Sequence, residues 1–148
     1  MTTDAPPLDP RVIALAHYAG RAVLESVLAR HGLTFQQSVT LRLAALADGP
    51  VRREELAGGV TGALKTGAAE AHAVIDELVT AGLLAPQGAA GLRITDAGRE
   101  AYARTSGETA PHSARIYAGI PEEDLAVAGR VLTLITRRAE AELAALTG

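Results

Sequence analysis

Residues 67–84 read GAAEAHAVIDELVTAGLL. Ala71, Val74, Ile75, Leu78 and Val79 recur at helical spacing, and Gly82 supplies the residue type that stops a helix. The stretch therefore predicts one amphipathic helix with a buried side and a glycine end. Its polar side carries Glu70, His72, Asp76 and Glu77 and no lysine or arginine. What precedes and follows it decides the fold.

Upstream, VRREELA begins a short helix at about Val51. Before it, Thr34 with Gln37 three residues on forms a capping box for a helix through Val39, Leu41, Leu43 and Leu46 to the DGP break. Asp9 and Pro10 open the first helix as N-cap acceptor and first-turn proline, and it runs by Ile13, Ala16, Val23, Val27 and Leu28 to a stop at His31 and Gly32. Downstream, LLA from Leu83 and LRIT from Leu92 flank PQGAAG, a β-hairpin pattern. Thr95 or Asp96 caps a fifth helix to about Tyr117, expected to kink or break near Gly107 and Pro111. The last helix opens at Pro121, with Glu122, Glu123 and Asp124 in its first turn. It carries a near-heptad stripe of Leu125, Ala128, Leu132, Ile135, Ala139 and Leu146.

Four helices, a hairpin and two helices describe a mainly α winged helix-turn-helix with a small β-hairpin wing. Residues 1–8 read as a disordered tail and 9–148 as a single domain. Within it, long helical regions at about 9–31 and 96–148 flank a winged-helix lobe at about 34–95. The apolar stripes of the first and last helices exceed what so small a lobe can cover, which implies a partner chain.

A chain of 148 residues that is 48% hydrophobic suits one globular domain. The absence of cysteine excludes disulfides, thiolate zinc sites and cysteine redox sensing. The first ten residues have no basic start, and no later run reads as a membrane span, so the sequence predicts a cytoplasmic protein with no membrane partner. A net charge of −3 argues against a general polyanion binder, because non-specific affinity for nucleic acid comes from lysine and arginine at phosphates. Any DNA contact must come from local charge placement.

Five pieces, in order, resemble the MarR family of transcriptional regulators: LTFQQSVTLRLAAL, EELA, VIDELVTAGLL, LRITDAGREAYA and AGIPEEDLAVAGRVLTLI. The likeness runs from about Asp9 to Leu146. It implies a homodimer built from first and last helices, two winged-helix lobes reading a pseudo-palindromic operator in double-stranded DNA, and a small-molecule pocket where the dimerisation helices meet the lobe. Three departures stand out. About four extra residues, near one helical turn, fall in AGGVTGALKTG. Ala68, Ala69, Glu70, His72 and Ala73 occupy positions usually filled by Ser, Thr, Arg and Gln, and the wing lacks the family's Asp-x-Arg motif. Residues 51–95 hold four basic and five acidic side chains, a sum of −1.

The candidate DNA contacts are Arg52 and Arg53 at a helix start, Lys65, Thr66 and Gly67 before the reading helix, and Arg93 beside the wing, all suited to phosphate. Glu70, which accepts from cytosine, and His72, which donates to guanine, are the candidate base readers. The alternative for the arginines is salt bridging to Glu54, Glu55 or another acid. Tyr18, Phe35, Tyr102 and Tyr117 are the only aromatics. They avoid the reading helix and wing, so His17, Tyr18, Arg42, Tyr102 and His112 are the candidate ligand contacts for a small aromatic or apolar effector. Core packing explains each tyrosine equally well. His17 and His112 lack a third metal ligand at suitable spacing, no cofactor motif is present, and no nucleophile has an assignable base, so the chain does not read as an enzyme. The expected function is a ligand-responsive, sequence-specific repressor. The alternative is a dimer of the same fold with weakened or lost DNA binding that serves as a ligand-binding or protein-interaction module.

Overall fold

The computed structural model describes residues 5–148, so half of the expected tail, residues 1–4, lies outside the described residues. Residues 5–9 carry no regular secondary structure. The elements are α1 (Pro10–Ala29), α2 (Phe35–Leu46), β1 (Val51–Arg52), α3 (Arg53–Leu64), α4 (Ala68–Thr80), β2 (Leu84–Gln87), β3 (Gly91–Ile94), α5 (Asp96–Tyr117) and α6 (Glu122–Thr147).

The helix starts follow from local chemistry. Asp9 Oδ1 accepts the Val12 N–H at 2.8 Å. At α2 both arms of the capping box form: Thr34 Oγ1 accepts the Gln37 N–H at 3.1 Å, and Gln37 Oε1 accepts the Thr34 N–H at 3.0 Å. Each such cap satisfies donors that the helix itself leaves open, contributing about 1 kcal/mol. The opening stretch ends as its glycine predicts. Gly82 has φ +77°, the Leu83 N–H reaches back to the Leu78 carbonyl at 3.0 Å, and the Gly82 N–H reaches Val79 at 3.0 Å.

Two expectations need correction. Val51 does not begin a helix: Val51 and Arg52 form β1, which pairs antiparallel with β3 (Val51 opposite Leu92, Arg52 opposite Gly91). The wing is therefore a three-stranded sheet in the order β1-β3-β2, not a lone hairpin. A two-residue strand has no periodicity to read, and its partner lies forty residues on. The second correction is that α5 does not break: it continues as helix through Gly107 and Pro111 to Tyr117. Proline removes the hydrogen bond to the carbonyl four residues back, and here that residue is Gly107, so the two helix breakers fall on one rung of the ladder. The helix α1 is, by length and composition only, long and apolar enough to cross a membrane, a test that the core helix of a globular protein also passes.

The hydrophobic core belongs to the lobe. Leu41 and Ala44 of α2, Leu56, Ala57 and Val60 of α3, Ala71, Ile75 and Leu78 of α4, Leu84 of β2 and Leu92 of β3 form one cluster. Ala101 and Tyr102 of α5 pack against it. The alanines allow the helix axes to approach, and the leucines fill the remaining space. Two buried threonines satisfy themselves within their helices: Thr40 donates to Gln36 O and Thr105 to Ala101 O, both at 2.9 Å. By its internal contacts the chain divides into Met1–His112, which holds this core, and Ser113–Gly148, which holds the end of α5 and all of α6.

The junction from α4 to α5 is tightly specified. Thr95 donates its N–H to Leu83 O at 3.1 Å and its hydroxyl to Gly82 O at 2.7 Å, while Thr95 Oγ1 accepts the Gly98 N–H at 3.0 Å. A Cβ on Gly98 would lie 2.2 Å from Leu83 O and 2.8 Å from Ile94 Cγ1. Gly98→Ala is expected to destabilise the lobe by about 1–3 kcal/mol through overpacking against backbone. Gly107→Ala, on the same helix with nothing within 4 Å of the new carbon, is expected to be neutral or to gain a few tenths of a kcal/mol. Urea midpoints of the two variants test this, and equal midpoints would contradict the close approach.

Candidate nucleic-acid interface

In a helix-turn-helix, the second helix is the one that enters the major groove. Here α3, the turn Lys65-Thr66-Gly67 and α4 form that unit. The extra residues of AGGVTGALKTG lengthen α3 by continuing it to Leu64, and Lys65 stops it in the left-handed region at φ 56°, the only non-glycine residue with positive φ among the described residues. That position usually takes glycine. The Lys65 N–H donates to Thr61 O at 2.9 Å and its ammonium to Gly62 O. Gly67 N-caps α4 without a side chain, so the cap makes no side-chain hydrogen bond to the first N–H groups of the helix.

The helical repeat of 3.6 places Ala69, Ala73, Asp76 and Thr80 on the side of α4 opposite its core contacts, and all four are exposed. Asp76 was absent from the residues singled out in the sequence, yet it is the one charge at the centre of this face. Arg53 answers it. Its guanidinium donates to Asp76 Oδ1 at 2.6 Å, to His72 Nδ1 at 3.0 Å and to the His72 carbonyl at 3.2 Å. Because Nδ1 of His72 accepts, the ring proton sits on Nε2, which faces Glu54 Oε2 at 3.7 Å. Arg53 and His72 thus clamp the start of α3 to α4.

Arg52 and Arg93 are brought together by the sheet. Leu92 is buried, so its neighbours Gly91 and Arg93 point to the opposite face of β3, and Arg52 stands opposite Gly91. Arg52 and Arg93 are therefore diagonal neighbours on the outer face of the wing sheet. Both are exposed. The sequence could not pair them, because the pairing depends on β1. Gly88, Ala89 and Ala90 leave the hairpin tip uncharged, as read from the sequence. Thr66 in the turn and Glu70 on α4 line a cavity with Gln36 and Val74.

The candidate ligand residues are distributed differently. His17 has Tyr18 at 6.1 Å and Phe35 edge-on at 6.4 Å between ring centroids, and Arg21 lies 4.2 Å over the Phe35 ring. Arg21 and Phe35 thus join this group, although only Phe35 carried a signal, as one of four aromatics. Tyr18 is exposed, Arg42 is exposed, and Tyr102 packs on the lobe core. None of the five lines the cavity beside α4. Near the end of α1, His31 Nε2 lies 3.0 Å from Glu108 Oε2. That contact, with help from Arg30 and Arg104 and against partial burial, holds the Glu108 carboxyl below its ordinary value. A depressed carboxylate adds stability above its unfolded value and loses it as pH falls through the folded one.

No family model and no curated protein matches the chain. Solved structures do. Ligand-free NadR superposes with a TM-score of 0.74 at 18% identity, covering 90% of this chain and 98% of that one. A MarR-family transcriptional regulator from Rhodococcus sp. RHA1 gives 0.69 at 19% identity, over 84% of this chain and 89% of the other. Another from Streptomyces coelicolor gives 0.71 at 20% identity, over 88% and 92%. The fold is that of the MarR family. Within the MarR fold, this chain keeps the helix-turn-helix and wing, and its α4 has no basic side chains.

Proposed function

We propose that the chain is a homodimeric, DNA-binding transcriptional regulator of the cytoplasm, acting as a repressor whose affinity for DNA responds to a small aromatic or apolar molecule. The observation that carries the DNA part is the placement of Arg52 and Arg93 together on the wing sheet, with Lys65 at the open N-terminus of α4. These three supply phosphate contacts at two separate points of a lobe whose net charge is otherwise unfavourable. Arg53 and His72 act indirectly, by fixing the angle of α4, and Glu70 and Thr66 line the cavity. Base discrimination then falls to a small face, Ala69, Ala73 and the paired Asp76, which favours modest specificity.

Dimerisation is supported by apolar surface that the chain leaves uncovered. Only Val27 and Leu28 of α1 are buried, while Leu15 is 55% exposed, and no residue of α6 is buried. The membrane-like composition of α1 has the same source: an apolar face awaiting a partner helix. For the effector, NadR has been crystallised with 4-hydroxyphenylacetate and CouR from Rhodococcus jostii RHA1 with p-coumaroyl-CoA. On that likeness, His17, Tyr18, Arg42, Tyr102 and His112 remain the residues proposed to meet an aromatic ligand.

Fluorescence anisotropy on DNA flanking the coding region tests the regulator reading. Lys65→Ala and Arg52→Ala should each weaken binding and reduce the slope of log K against log salt by about 0.9, the loss of one phosphate contact. A selection from random duplexes at low salt that returns no preferred sequence would remove DNA reading and leave the second reading, a ligand-binding or protein-interaction dimer. The acidic and alanine-rich face of α4 is what favours that second reading.

A further inference from the structure

A cavity of about 400 Å³ lies within the lobe, between the start of α2, the end of α3 and one flank of α4. Its size falls in the range of small-molecule sites. Val60, Leu64 and Val74 give it apolar walls, and Leu64 is there because α3 runs on through the inserted residues. Its polar lining is Thr34, Gln36, Thr66, Glu70 and Glu77. Thr66 Oγ1 is out of water and has no hydrogen-bond partner among the described residues, a state that normally costs a buried hydroxyl about 1–3 kcal/mol. Glu70 makes no ion pair among the described residues. Among the described residues Glu77 accepts only the Gln37 amide, Nε2 to Oε2 at 2.8 Å. No lysine, arginine or histidine lines the space.

We propose that this cavity is a binding site for a small organic cation, an apolar or aromatic body carrying an ammonium group. Glu70, four residues after Thr66, meets the ammonium, the apolar walls of α3 and α4 take the body, and the Thr66 hydroxyl gains the partner it lacks. An aromatic acid is excluded by the same charges, since its carboxylate would sit against Glu70 and Glu77 with no cation to compensate. The site lies inside one lobe and needs neither DNA nor a second chain, so it stands apart from the proposed regulator function.

Tyramine and 4-hydroxyphenylacetate share a ring and differ in the charge at the end of the side chain, which makes them the decisive pair of probes. Amide NMR of the full chain is expected to show saturable shifts at residues 64–77 with millimolar tyramine. The acid should leave those residues unmoved, whatever it does elsewhere. Glu70→Gln should weaken tyramine at least about fivefold, the loss of a charge-assisted contact, and Thr66→Val should weaken it while leaving the spectrum otherwise folded. No shift at these residues with tyramine, equal shifts with the acid, or unchanged affinity in folded Glu70→Gln would each overturn the proposal.

Discussion

Ile75→Ala is expected to lower the unfolding free energy by about 2–5 kcal/mol, the range for deleting a buried aliphatic side chain from a core that cannot collapse onto the gap. Ile75 is 0% exposed and sits in the middle of α4, where the core faces of α2, α3 and the wing converge on it. Urea denaturation should show the midpoint falling with the slope unchanged. Thr80→Ala, on the exposed side of the same helix, supplies the comparison and should stay within about 0.5 kcal/mol of the parent. A loss below about 1 kcal/mol for Ile75→Ala would mean that α4 is not packed as described.

The second large effect concerns association. Leu132 and Ile135 are each 39% exposed on α6, in line with Leu146 at 82%, and a second apolar row of Val127, Val131 and Leu134 runs beside them. Glutamate at both Leu132 and Ile135 places two unpaired charges where the proposed partner helix would exclude water, a penalty of several kcal/mol per chain. Light scattering after gel filtration should find the parent at about twice 15.2 kDa. The double variant should run as the monomer, with the lobe still folded by far-UV circular dichroism. A parent that is monomeric at micromolar concentration, or a double variant that remains dimeric, would sink the dimer.

Local signals located most of the elements. Asp9 with Pro10 and Thr34 with Gln37 mark helix starts because the groups that satisfy the orphan N–H donors are within three residues of them. The apolar spacing of GAAEAHAVIDELVTAGLL and its Gly82 were enough to place α4 and to say which side is buried. The errors came where the deciding partner is remote. Val51 and Arg52 carry no strand pattern of their own and become β1 only by pairing with Leu92 and Gly91. Gly107 and Pro111 look like two breaks in sequence, and one shared rung makes them a tolerable interruption.

The candidate interface shows the same division. That the reading helix lacks lysine and arginine, and that the wing tip is uncharged, followed from composition alone. Which arginine is left on the outer face did not. Arg53 and its neighbour Arg52 are adjacent in sequence and nearly alike in local context, but one is turned into α4 to meet His72 and Asp76, nineteen and twenty-three residues away. The other is held by the sheet on its outer face beside Arg93.

The amino-acid sequence by itself determined where α1, α2 and α4 begin, which faces are apolar, and that α4 is acidic, since caps, periodicity and charge act over one or two turns. Only the tertiary structure decided the third strand, the clamp from Arg53 to α4, the arginine pair on the wing, and the cavity with its orphaned Thr66 hydroxyl. Each of those depends on chain segments that meet across tens of residues, where a side chain's role is set by the neighbour that packing delivers and not by the residues beside it in the chain.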